Sequence, residues 1–278
     1  MHAIGLIGLT LTIGQTSAKR LEPIGRLEHP AIREASGIVQ SRRFPGVFWT
    51  HNDSGNPPAL FAVTRDGKLI REYTVAVPNV DWEDIAIDDA GHLYLGEIGN
   101  NDGRLPLRAI YEIDEPDPTR ASATPLPVTK ASFYRFPRGG RFDAEGLFID
   151  RGRAIVVAKT FDGREAELFA IPLDPPAPLL RPALPEPVGR LPGLIEPATA
   201  ADLSRDGRHL AVASTHATRV YERDRSGGWK LVGAVPHRSD VMEALCWDGD
   251  DLILAGEGRG LYRIAERTWR RSVRPPSR

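Results

Sequence analysis

The sequence predicts an all-β chain closed into a ring of repeated units, and three observations carry that expectation. Apolar residues alternate with polar ones in short stretches separated by Asp-Gly turns such as Asp66-Gly67 and Asp206-Gly207, and no helical period is sustained beyond the first residues. A short strand motif, a small or acidic residue followed by a spacer and an apolar residue, recurs as Ser36-Gly37-Ile38, Glu83-Asp84-Ile85, Glu145-Gly146-Leu147, Ala201-Asp202-Leu203 and Glu243-Ala244-Leu245. Each copy leads to a strongly apolar second strand that ends 14 residues on, from 36 to 50, 83 to 97, 145 to 159, 201 to 215 and 243 to 257. Units of this length built from four short strands define a five-bladed β-propeller. Six blades is the alternative if one unit has been merged with its neighbour.

In chain order, Ala3 to Gly14 is apolar and uncharged, and Thr16, Ser17 and Ala18 offer small residues before Lys19 and Arg20. That pattern resembles a signal peptide over 1–18, too short to span a bilayer, and implies an exported, periplasmic or extracellular protein. A single propeller domain is expected over 19–266. The stretch Pro23-Ile24-Gly25-Arg26-Leu27 resembles the fourth strands Pro187-Val188-Gly189-Arg190-Leu191 and Leu231-Val232-Gly233-Ala234-Val235. The fifth unit has no outer strand of its own after Ile264, so the N-terminal stretch is expected to pair there and close the ring. The proline-rich run from Pro172 to Pro187 reads as a stiff surface connection between strands. Residues 267–278, with five arginines around Trp269, read as a solvated basic tail.

A net charge of −1 over 278 residues gives no field that would draw in nucleic acid or an anionic membrane. One cysteine, Cys246, in an apolar run, excludes disulfides and a thiolate metal site and reads as a buried strand residue. No histidine pair has zinc spacing. The partner expected is a small phosphorylated molecule or an envelope ligand, bound by a monomer without nucleic acid or stable membrane insertion.

The repeat predicts two rings of residues on one face of the channel. The first holds Ser36, Glu83, Glu145, Ala201 and Glu243, and the second Thr50, Glu97, Lys159, Thr215 and Glu257. Carboxylates roughly 6 Å apart repel by about 2–3 kcal/mol per pair at an effective dielectric near 20. A hard divalent ion relieves that repulsion, with Ca²⁺ the first choice and Mg²⁺ the second; capping of neighbouring backbone is the other reading of the glutamates. Ser36 and Ala201 are expected to offer backbone carbonyls. Asp53, in His51-Asn52-Asp53-Ser54-Gly55, is the general-base candidate, and Lys159 and Glu97 stand beside it as candidate catalytic groups. The rim adds His51, Asn52, Asn100, Asp162, His216, Glu257 and Arg259 as candidate substrate contacts.

With the rings in place, the order serine, glutamate, glutamate, small residue, glutamate resembles the central calcium shell of the calcium-dependent apyrases. Thr50 to Gly55 is similar to that family's acidic turn, and Leu93 to Gly96 to its second-blade strand. The resemblance implies hydrolysis of phosphoanhydride or phosphoester bonds. Two positions depart from the pattern: Ser54 stands where the apyrase turn carries arginine, and Ala201 stands where the fourth ring position is serine. The stretches 34–55 and 81–101 also resemble uncharacterised bacterial propellers grouped with phytase-like and SdiA-regulated proteins. Two functions therefore stand side by side: a metal-dependent phosphohydrolase, and a non-catalytic propeller that binds a glycan, peptide or envelope partner.

Overall fold

A computed structural model describes residues 21, 23–137, 142–237 and 241–272 of the chain. The leader and the end of the basic tail lie outside the described residues.

Five four-stranded antiparallel sheets follow one another along the sequence. After β1 (Pro23–Arg26), blade one is β2 (Ala35–Gln40), β3 (Val47–Asn52), β4 (Ala59–Thr64) and β5 (Leu69–Thr74). Blade two is β6 (Trp82–Ile87), β7 (His92–Glu97), β8 (Arg108–Asp114) and β9 (Lys130–Tyr134). Blade three is β10 (Ala144–Asp150), β11 (Arg153–Ala158), β12 (Glu167–Pro172) and β13 (Glu186–Arg190). Blade four is β14 (Ala198–Leu203), β15 (His209–Ser214), β16 (Ala217–Arg223) and β17 (Trp229–Pro236). Blade five joins β18 (Met242–Asp248), β19 (Asp251–Gly256) and β20 (Gly260–Ile264) to β1, so the N-terminal strand supplies the outer strand of the last blade. The innermost strands β2, β6, β10, β14 and β18 pack in a closed circle, which makes the fold a five-bladed β-propeller.

The alternation legible in the strands buries both faces of every blade, because each sheet is sandwiched between two others. Five apolar clusters fill the five seams. Trp49, Leu60 and Tyr73 of blade one meet Ile85, Leu95 and Tyr111 of blade two. The closing seam joins Leu27, Phe48 and Phe61 to Cys246, Ile253 and Leu261, so Cys246 is a core residue and burial pushes its thiol well above its ordinary range.

Two segments differ from the sequence expectation. The proline-rich run lies along the edge of β9: Phe133 N donates to Ala177 O, and Ala183 N donates back to Phe133 O. It therefore blunts a sheet edge as well as connecting blades. The presumed tail begins as helix α1 (Glu266–Arg270), whose Trp269 is 1% exposed, packs edge-on against Trp247 and donates Nε1–H to Asp250 O. Arginine-rich composition hid one large apolar anchor. No helix among the described residues is long and apolar enough to cross a membrane.

Candidate functional site

Each inner strand pair carries a β-bulge at its entry into the channel. The register skips one residue between Trp82 and Asp84, between Ala144 and Gly146, and between Met242 and Ala244, so the bulged residues are Glu83, Glu145 and Glu243. A bulge leaves its residue out of the ladder and re-aims its side chain, which is how the repeat delivers carboxylates to one mouth. Glu145 feels the charges of both Asp143 and Glu243, and Glu83 feels that of Glu145, so the bulged acids of neighbouring blades interact.

In blade four the bulge falls at Thr199, between Ala198 and Ala200, and not at Ala201. Ala201 sits two residues further down the strand, where its N–H donates to Asp84 Oδ2 and its methyl joins the seam with blade three. Thr199 is the fourth ring position, and it behaves like Ser36. Thr199 Oγ1 donates to Met242 O at 2.5 Å and Ser36 Oγ to Glu83 O at 2.6 Å, each tying its blade to the next. With Thr199 in the ring the interval to Thr215 is 16 and not 14, so holding the spacing constant is what selected Ala201, and the strand face, unchanged by a slip of two, could not reveal it.

Among the described residues, the tightest acidic group is asymmetric and lies between blades one and two. Asp53, Asp81 and Glu83 place one carboxylate oxygen each within 4.8 Å of one another. Glu83 is 3% exposed, and its Oε1 is buried without a hydrogen-bond partner. Gly99 makes room for it: a Cβ there would lie 2.2 Å from Glu83 Oε1 and 2.6 Å from Asp81 Cγ. Asp81 was missed by sequence reasoning, as was Asp143. Both stand two residues before a bulged glutamate, in Asp81-Trp82-Glu83 and Asp143-Ala144-Glu145; that repeated Asp-x-Glu was the available signal.

The electrostatics follow from burial and crowding. Desolvation first, then the Glu145, Asp53, Asp81 and Asp143 charges, push Glu83 far above the usual carboxylate range. Asp81 rises to about 6 through burial and the charges of Asp53 and Asp143, and Asp53 also rises, mainly by burial. Burial lifts Glu145 to about 8 against the opposing pull of Lys159. Lys159 Nζ is paired with Glu145 Oε1, lies 3.2 Å from Asn101 Oδ1 and 4.0 Å from Asp143 Oδ2, and so neutralises the blade-three side of the mouth.

Several predicted contacts are committed to backbone. Glu97 accepts from Val80 N at 3.1 Å and Asp81 N at 2.5 Å, so it holds the loop that presents Asp81 instead of facing the channel. Asn52 Oδ1 accepts from Arg33 N and Glu34 N, and Asn100 Oδ1 from Leu105 N while its own N–H donates to Asp143 Oδ1. His51 is fully buried, donates Nδ1–H to Asn52 O and is held down to about 4 by desolvation. Arg259 turns its Nη2 into Leu27 O and His29 O, at 2.5 and 2.8 Å, and thereby locks the closing strand. Asp162 is exposed and paired with Arg164; His216 and Glu257 are exposed at the rim. Behind the mouth, Asp84 accepts N–H bonds from Ile85, Leu147 and Ala201 and cross-links blades two, three and four at the axis.

No family model matches the chain, and no curated protein matches it. Among solved structures it is similar to a luciferin-regenerating enzyme (14% identity, TM-score 0.48, covering 83% of this chain and 77% of that one). It is also similar to a virginiamycin B lyase from Staphylococcus aureus determined with quinupristin (16% identity, TM-score 0.44, 85% and 67%). A third likeness is to the Dos1 propeller (12% identity, TM-score 0.42), of which the chain spans 56% while 84% of its own length is covered. The five four-stranded sheets of this chain, closed in a circle, define its class as a β-propeller.

Proposed function

We propose that this propeller binds a divalent cation at its acidic mouth, Ca²⁺ in first place and Mg²⁺ in second, with Asp53, Asp81 and Glu83 as ligands. One observation carries the reading: Glu83, whose Oε1 is buried without a hydrogen-bond partner, offers a carboxylate oxygen within 4.8 Å of one each from Asp53 and Asp81. At that separation each ionised pair repels by about 3.5 kcal/mol at an effective dielectric of 20, and an all-oxygen donor set suits a hard cation. Elemental analysis and calorimetric titration of the chelator-treated protein test it. One equivalent of calcium bound by the natural chain and lost in Glu83→Gln is expected; a Glu83→Gln variant that binds as well refutes the ligand set.

On this reading the protein is exported and acts on a small phosphorylated molecule. A bound cation supplies Lewis-acid stabilisation of phosphoryl oxygens. Asp53, half-buried with its carboxyl raised, is suited to take a proton from water, and Lys159, beside Glu145, to meet developing charge. Phosphate release from nucleotides and other phosphoesters, assayed with calcium and with chelator, tests the catalytic half; turnover indifferent to chelator on every phosphoester overturns it. A specific observation favours the non-catalytic alternative: Glu97, a candidate catalytic group, and Arg259, a candidate substrate contact, are both spent on backbone. Retention of a glycan or peptide from an envelope extract by the calcium-loaded chain, without phosphate release, is the outcome that reading expects.

A further inference from the structure

The opposite mouth of the channel gathers arginines. Five residues beyond each bulge position the inner hairpin turns on Ser41, Asp88, Asp150, Ser204 or Asp248, and the next residue is Arg42, Asp89, Arg151, Arg205 or Gly249. Three of the five blades thus place arginine at one equivalent turn position. Arg42, Arg151 and Arg205 line a cavity of about 500 Å³ together with Arg208 and Arg223. Four aspartates share the lining, but three have partners. Asp88 is bonded to His92, Asp150 to Arg223, and Asp206 to Ser204 Oγ and the Arg208 N–H of its own turn.

The arginines are differently placed. Arg42 and Arg208 have no acidic partner within 4.0 Å among the described residues, and Arg42 Nε is buried without a hydrogen bond. Arg205 and Arg151 reach Asp89 and Asp150 only at 3.9 and 4.0 Å and remain 70% and 72% exposed. Arg151 also holds a left-handed backbone, φ 51°, where glycine or asparagine would be less strained. Guanidinium groups gathered around a concave axis match the paired oxygens of carboxylate and phosphate groups, and the volume is that of a small-molecule site.

We propose that this far mouth is a second binding site, independent of the cation centre, for a small multivalent anion bearing carboxylate or phosphate groups. Calorimetric titration of the metal-free full chain with citrate, inorganic pyrophosphate and, as a monovalent control, acetate tests it; the tighter of the first two identifies the anion class. Saturable binding of citrate or pyrophosphate is expected, weakened about fivefold in Arg205→Gln and in Arg151→Gly. Arg151→Gly also relieves the left-handed backbone, so its melting temperature is expected to hold or rise while its affinity falls, a split that loss of folding cannot produce. Glu83→Gln, at the other mouth, should leave anion affinity unchanged. Absence of saturable binding, acetate binding as tightly as citrate and pyrophosphate, or affinity unaltered by both arginine substitutions each overturns the proposal.

Discussion

Glu83 shows how one side chain acquires a chemical role from its surroundings. Its carboxylate is stripped of water, crowded by other acids and left with a bare oxygen, so in the absence of a cation the neutral form is favoured. Gly99 is the complementary residue, because the space beyond its Cα is filled by Glu83 Oε1 and Asp81. Gly99→Ala is therefore expected to abolish most of the calcium-induced rise in melting temperature; a rise equal to that of the natural chain contradicts the cradle. His237 makes a separate prediction about acid. It is 1% exposed, neither ring nitrogen has a partner, and desolvation holds it at about 4. A folded-state value below the unfolded 6.5 means that its stabilising effect is complete above 6.5 and is lost as pH falls toward 4, by up to about 3 kcal/mol. Chemical denaturation of His237→Met between pH 6 and 4 should show a shallower loss than the natural protein, and parallel curves would exclude this histidine as the source.

At the scale of the element, the bulge and the closing strand do the positioning. The repeat was legible because its five units share a strand-turn-strand spacing, yet the same spacing hid the two-residue slip that put Ala201 in place of Thr199. Side chains alternate with period two, so only a bulge, set by backbone pairing, distinguishes one inward position from the next. The closing strand was legible from its likeness to two other outer strands, whereas its lock was not: Arg259 spans more than two hundred residues to reach Leu27 O and His29 O. Arg259→Ala leaves two carbonyls without their charged donor, and a loss of about 1–3 kcal/mol is expected in denaturant titration. Trp269→Ala removes a side chain buried against Trp247 and should cost about 3–5 kcal/mol; a loss below about 1 kcal/mol would return 267–272 to the status of a tail.

Across the whole molecule, the channel separates an acidic mouth from an arginine-lined one, and a net charge of −1 conceals that polarity. The acidic end makes stability depend on pH and cation together. Asp81 at about 6 and Glu145 at about 8 lie above their unfolded values, so their contribution is full below about 4 and is lost as pH rises through 6 to 8. Without cation the melting temperature should fall between pH 6 and 8. With calcium at a hundred times its dissociation constant, about 2.7 kcal/mol is restored and the slope flattens; identical slopes with calcium and chelator would count against the cation centre.

Sequence by itself determined the all-β class, the five blades and the ring closure through the N-terminal strand, because each depends on periodicity that a linear pattern records. Tertiary structure decided which acids come closest, that Lys159 answers Glu145, and that Glu97, Asn52, Asn100 and Arg259 serve the backbone. Those outcomes depend on distances between loops from different blades, and a chain read one residue at a time contains no measure of them.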